Sequence, residues 1–154
     1  MTIMYQIING MPQQVVLAGI VELHQTIFGD AGTLISKLES KPSLTVVVAK
    51  DKEIIIGYKI GYEMDRDTYY SWLGGVNPNY RKKGIASKLM DVQHQYLRGK
   101  GYQVIQTKTM NRWRNMLLLN IKHGFDIIDT CTDEKGLHKI ILEKHLAISK
   151  KVEE

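Results

Sequence analysis

The chain has 154 residues, 44% of them hydrophobic and 24% charged, which is enough for one packed core and short for two. Its lone cysteine, Cys131, excludes an internal disulfide and a four-ligand zinc cluster, and fits a reducing compartment. The net charge of +5 is unevenly held: residues 79–123 carry ten Lys/Arg against one acid, Asp91, and the remaining residues carry 11 Lys/Arg against 15 Asp/Glu. One part of the surface therefore suits a polyanion, either a nucleic acid or a phosphate-rich small molecule.

The first residues, Met1-Thr-Ile-Met-Tyr5, lack a basic region followed by an apolar core, and no apolar run reaches membrane-spanning length. A soluble, unprocessed chain is expected, forming a single domain over residues 1–154. Val15, Val16, Ile20, Leu23 and Ile27 recur at helical spacing over residues 12–28, and residues 31–38 repeat the pattern briefly. Two helices are predicted there, joined near Gly29-Asp30. The β-branched run 44–50 and the run 54–63 predict a hairpin across Asp51-Lys-Glu53. A third strand, 69–76, ends at Asn77-Pro78, because proline cannot continue a central strand.

After the turn Tyr80-Arg-Lys-Lys-Gly84, residues Ile85, Leu89, Val92 and Tyr96 mark an amphipathic helix closed by Gly99 and Gly101. Residues 102–109 predict a strand and 112–123 a helix capped by Gly124. Residues 125–130 and 137–142 predict a terminal hairpin. The order is ααβββαβαββ, an α/β chain with one mixed sheet whose clear strand-turn-helix crossover is centred on the basic turn.

That turn has the chemistry of an anion site. A helix starting near Gly84 offers unpaired N–H groups and the positive end of its dipole, and a residue without a β-carbon lets a phosphate approach the main chain. Arg81, Lys82 and Lys83 add charge, and Ser87 adds a hydroxyl donor. Gly74 and Gly75, at the end of the preceding strand, suggest a bulge or a close approach by another backbone. A strand opening beside such a helix makes a slot in which an extended ligand with amide groups would pair as an extra strand does. There is no G-x-G-x-x-G and no G-x-x-x-x-G-K-[ST], so dinucleotide and P-loop readings fit less well than coenzyme A, a diphosphate with a two-amide arm.

Val76-Asn-Pro-Asn-Tyr-Arg81-Lys-Lys-Gly84-Ile-Ala86 resembles motif A of the GNAT N-acetyltransferase superfamily, [RQ]-x-x-G-x-[GA] after a V-x-P strand end, and residues 115–125, ending in Gly124-Phe125, resemble its motif B. The element order matches over essentially the whole chain. The resemblance implies a GNAT-like fold, acetyl-CoA as co-substrate, no metal, and direct attack of a primary amine on the thioester in a ternary complex. Val76 would offer backbone groups to the pantetheine arm and polarise the acyl carbonyl through its N–H. Arg81, Lys83, Gly84, Ile85, Ala86 and Ser87 would surround the pyrophosphate, with Asn111, Asn115 and Asn120 as further polar contacts. Asn120 stands where many family members carry a tyrosine that protonates the leaving thiolate; an amide is no acid at neutral pH, so the thiolate is expected to leave without a protein acid.

Glu63 is the first choice for a general base near the open end of the slot. With Asp65 and Asp67 it would form an acidic rim attracting a cationic acceptor, a small-molecule or peptide amine. His24, Phe28 and Asp30 are candidates to line the acceptor site, while Trp113 and Met116 read as packing residues. Two alternatives stay open: a non-catalytic acyl-CoA-binding sensor, and a basic nucleic-acid-binding domain with Tyr80, Tyr96, Tyr102 and Trp113 near its cations, Tyr96 lying on the apolar helix stripe. A Cys131–His nucleophile has no activating pattern, and the five histidines show no metal-ligand spacing. The favoured reading has no nucleic-acid or membrane partner and a cytoplasmic location, with a homodimer left open.

Overall fold

A computed structural model describes residues 2–146; Met1 and residues 147–154 of the expected 1–154 domain lie outside the described residues. The elements in order are β1 (Ile3–Asn9), α1 (Gln14–Phe28), α2 (Leu34–Glu39), β2 (Thr45–Asp51), β3 (Ile54–Glu63), β4 (Thr68–Val76), α3 (Ile85–Gly99), β5 (Val104–Thr109), α4 (Arg114–Lys122), β6 (Asp126–Thr132) and β7 (His138–His145). The mixed α/β class and the crossover are as predicted. The predicted order lacked β1. This strand pairs antiparallel with β2 at the edge of the sheet, and Met4 and Ile7 face outward. An apolar run with hydrophobic residues on both faces gives no alternation to read.

The seven strands lie in the order β1-β2-β3-β4-β5-β7-β6. Only β4 and β5 run parallel, which requires the crossover helix α3 between them. Helix α1 covers one face, where Ile20 and Leu23 pack with Val46, Val48, Tyr58 and Ile60. Helix α3 covers the other, setting Ile85 and Leu89 against Val47, Ala49 and Ile56, and Met90 and Leu97 against Tyr69, Ile105 and Leu142. Among the described residues, no helix is long and apolar enough to cross a membrane.

The pairing of β4 with β5 is short. It runs from Thr68↔Val104 to Ser71↔Thr107 and stops, although β4 continues to Val76. The cause lies on the other edge of β4. Ile60 pairs with Leu73 but Gly61 with Ser71, so Trp72 is an extra, bulged residue. A bulge bends its strand and turns two neighbours to one face; Trp72 and Leu73 both pack on the α1 side. From this point β4 leaves β5 and a fork opens.

The bulge was expected at Gly74-Gly75, which instead pair regularly with Lys59 and Tyr58. These glycines answer a different steric demand. A β-carbon on Gly75 would stand 2.7 Å from Ile27 Cδ1 of α1, and one on Gly74 would stand 3.3 Å from Lys59 Cδ. The first lets a helix press on the strand, and the second lets a lysine side chain cross it.

Candidate active site

The fork holds a cleft of about 270 Å³, walled by β4 residues Ser71 to Gly74, by Thr107 and Thr109 of β5, and by Lys59. Phe28 at the end of α1 and Trp113 before α4 close its mouth, their rings 6.2 Å apart and edge to face. Backbone alternation equips the inner wall. Asn77 N–H donates to Ile56 C=O on β3 at 2.8 Å. Successive residues of a strand point opposite ways, so Gly75 also faces β3 while the N–H groups of Gly74 and Val76 face the open fork. Val76 and Gly74 thus both turn backbone donors to the fork, of which the sequence reading named only the first.

The basic turn stands directly above this edge. Asn77 Oδ1 accepts from Asn79 N–H at 2.8 Å, and Tyr80 donates its hydroxyl to Asp51 at 2.6 Å, which fixes the turn to the end of β2. Arg81, Lys82 and Lys83 are exposed. Gly84 has φ of 78°, the left-handed region that favours glycine, and a β-carbon there would meet nothing within 4 Å. The position thus combines a backbone requirement with open space in front of the helix start. The first α3 bond runs from Lys88 N–H to Gly84 C=O, and no side chain caps the helix, so the N–H groups of Ile85, Ala86 and Ser87 have no intrahelical partner.

Ser87 is less free than expected. Its Oγ lies 2.7 Å from His123 Nε2, and His123 Nδ1 lies 3.3 Å from Asp91 Oδ1. With Nδ1–H turned to the carboxylate, Nε2 accepts and the Ser87 proton is committed to the ring. Serine, histidine and carboxylate in series also describe a hydrolase nucleophile. Here Ser87 lies outside the lining of the fork and Asp91 is exposed, so the series braces α3 against the end of α4.

The other expected residues separate into near and far. Asn120 is 2% exposed, on the inner side of α4. Asn111 and Asn115 are exposed and do not line the cleft, whereas Trp113 and Met116, read from sequence as packing residues, do. Phe28 lines the cleft, but His24 is buried between Tyr58 and Asp30, with its two ring nitrogens 2.6 Å and 2.8 Å from them. Glu63 is not at the open end. It pairs with Tyr69, which pairs in turn with Ile105 where β4 and β5 are still joined, and its Oε1 accepts the Tyr102 hydroxyl at 2.6 Å. Asp65 is committed to the hairpin turn, accepting from the N–H groups of Asp67 and Thr68, which hold its carboxyl below the usual range. The expected acidic rim therefore caps the far end of the β3–β4 hairpin, and no carboxylate lines the cleft among the described residues.

A larger depression of about 370 Å³ lies near α2, between Asn9, Ser43, Tyr96 and Tyr102, and contains none of the motif residues. Cys131 is exposed on β6. Among the described residues no group of three or more His, Cys, Asp or Glu is placed to hold a metal ion.

Comparison with known proteins agrees with this geometry. No curated protein matches the sequence. Aminoglycoside 6'-acetyltransferase type Ii superimposes with a TM-score of 0.81 at 16% identity, covering 93% of this chain and 98% of that one. A GNAT family acetyltransferase from Elizabethkingia anophelis, solved with acetyl-CoA bound, gives 0.72 at 22% identity over 92% and 97%. The ribosomal-protein-S18-alanine N-acetyltransferase from Escherichia coli gives 0.77 at 12% identity over 98% and 99%. These likenesses establish the fold. The sequence model described as "Acetyltransferase (GNAT) family" matches residues 13–116, a span running from α1 through the fork and the basic turn into α4. The chain belongs to the GNAT acetyltransferase family.

Proposed function

We propose that the protein transfers the acetyl group of acetyl-CoA to a primary amine by direct attack in a ternary complex. The observation that carries this reading is the continuity of the fork with the α3 start: two inward N–H groups on an unpaired strand edge lead to a glycine-fronted, uncapped helix beside three exposed cations. The residues fit coenzyme A. The N–H groups of Ile85, Ala86 and Ser87, with Arg81 and Lys83, would hold the pyrophosphate. The freed edge of β4 would pair with the amides of the pantetheine arm as a neighbouring strand would. Asn120 on α4 is a further polar contact for the arm.

At the reacting end, Val76 turns a preorganised N–H donor towards the position where a carbonyl oxygen gains charge, and it needs no reorganisation to do so; the Gly74 N–H, one strand repeat along the same edge, is left for another polar group of the ligand. The acceptor enters between Phe28, Trp72 and Trp113. Aromatic faces attract an ammonium group, and Phe28, Trp72 and Trp113 all line the cleft. A cationic small-molecule or peptide amine suits that mouth. Glu63, Asp65 and Asp67 add attraction only from a distance, because they cap the opposite end of the hairpin.

The test is direct. Coenzyme A should bind one-to-one by calorimetry; at ~100 times its dissociation constant it adds about 2.7 kcal/mol, which raises the melting temperature by roughly 5 to 10 °C. Free thiol released from acetyl-CoA should exceed the hydrolysis background with at least one amine from a panel of polyamines, aminoglycosides, amino acids and peptide N-termini. Absence of binding at millimolar coenzyme A would refute the reading. Tight binding with no acylation across the panel would replace it with an acyl-CoA-binding module.

A further inference from the structure

Among the described residues, Lys59 is the one lysine, arginine or carboxylate that the core buries. It is 8% exposed on the central strand β3, and its stem lies across β4 in the space that Gly74 leaves vacant. A β-carbon on Gly74 would be 3.3 Å from Lys59 Cδ and 3.6 Å from Nζ. The ammonium therefore reaches the strand edge where the Gly74 N–H faces the fork, and Lys59 forms part of the cleft wall with Ser71 and Thr107.

Among the described residues, no carboxylate neutralises this charge: none lies within ion-pair distance, and burial alone brings the amine down to about 8. The charged neighbours have the same sign or none. From α3, His94 stays neutral, pushed down to about 2 by burial and by Lys144 of β7, whose Nζ lies 3.0 Å from His94 Nδ1. Lys108 of β5 is exposed, and Lys139 of β7 lies 3.9 Å from Asp133. A buried cation without a counter-ion is costly unless the site is completed by an anion. The cleft is where acetyl transfer, as read above, generates one.

The geometry points to Lys59 Nζ as the proton donor to the departing coenzyme A thiolate. Resting on the acetyl-transfer reading, the step balances as follows. The acceptor nitrogen, having given its ammonium proton to water, bonds as the neutral amine to the carbonyl carbon, while the Val76 N–H holds the oxygen. The C–S bond breaks with its electron pair on sulfur, and sulfur takes a proton from the Lys59 ammonium. The proton lost by the acceptor nitrogen restores the lysine, directly or through water, so the products are an amide and a neutral thiol. An amine near pH 8 is matched to a thiol of ordinary acidity, so either can hold the proton without a large penalty. The amide of Asn120 need not act as an acid.

The test reads the bound thiol rather than turnover. Coenzyme A bound to the wild type should form thiolate, followed by ultraviolet absorbance, at a pH lower by about one unit than when bound to Lys59→Met, since an adjacent cation favours the anion. Lys59→Arg should keep that shift, because it keeps the charge, yet slow acetyl transfer at least tenfold, because a guanidinium gives up no proton. Lys59→Gln provides a second neutral variant, with desulfo-coenzyme A as the blank. Equal thiolate midpoints in wild type and neutral variants that all bind coenzyme A would overturn the assignment and leave the acetyl-transfer reading intact. Coenzyme A binding to none of the proteins would overturn both. Accumulation of an acetyl group on Lys59 itself, seen as a mass gain, would also overturn it, since the nitrogen would then be an acceptor.

Discussion

The two ends of the β3–β4 ribbon differ in what their backbones leave unpaired. At the Glu63 end, β4 is bonded on both edges, to β3 and to β5, and the polar side chains there satisfy one another: Glu63 with Tyr102, and Asp65 with its own turn. At the Gly57 end, β5 has gone, Gly74 and Val76 face open space, and a buried lysine has no carboxylate within ion-pair distance among the described residues. A closed hydrogen-bond account marks the first end as structural. The open account at the second end marks the site, because backbone groups that a sheet would normally pair are held ready for something else.

If the open end is built for a ligand, its charge should cost stability in the ligand's absence. Lys59 has a folded pKa below its unfolded value, so the unfolded chain binds more protons between about pH 8 and 10.5, and stability should rise with pH across that window. Lys59→Met should therefore stabilise the ligand-free protein near pH 7 by up to about 3 kcal/mol, the shift converted at 1.36 kcal/mol per unit. Thermal melts at pH 7 and pH 10 would check this, the gain over wild type shrinking at the higher pH. A destabilised Lys59→Met would show that the lysine stem is a packing element and would blur the contrast between the two ends.

Gly84 tests the same end at the phosphates. Replacement by valine fills the open space before α3 and places a β-branched residue at φ of 78°. Coenzyme A affinity should fall ~100-fold or more, equivalent to about 2.7 kcal/mol, and a left-handed valine should also cost about 1–2 kcal/mol of stability. Gly84→Asn separates the two effects, since asparagine tolerates this backbone yet still obstructs the phosphate. Unchanged affinity in both variants would show that the turn only starts a helix.

How much of this was legible beforehand follows the same division. The basic turn, the crossover and the order of the elements after β1 could be read because each is a local pattern: a strand end before Pro78, three cations, a glycine, and then helical spacing. The fork was only half legible. Gly74-Gly75 marked the right strand, but the bulge falls at Trp72, because register is decided by the partner strand and not by the residue that looks weakest. Glu63 was misplaced for a related reason: its distance from the slot depends on which end of β4 leaves β5, and a single sequence carries no such information. Lys59 left a trace that went unread. A lysine within Ile54-Ile-Ile-Gly-Tyr-Lys-Ile60, the middle of an otherwise apolar strand, is a rare buried charge and could have been flagged on that ground.

The smallest expected effect is at Glu63, and it tests the closed end. Glu63→Gln keeps the shape and removes the charge that receives the Tyr102 hydroxyl. Loss of a partly exposed, charge-assisted hydrogen bond should cost about 1 kcal/mol. Tyr102, held up at about 12 by burial and then by this carboxylate, should titrate at lower pH once the carboxylate is gone, which the phenolate absorbance would report. The rate of acetyl transfer and its pH dependence should not move, since the proton traffic passes through the other end of the ribbon. A Glu63→Gln protein that folds and binds coenzyme A yet loses the acidic limb of its pH–rate profile would make Glu63 a base acting over a distance. The division between a closed structural end and an open chemical end would then have to be abandoned.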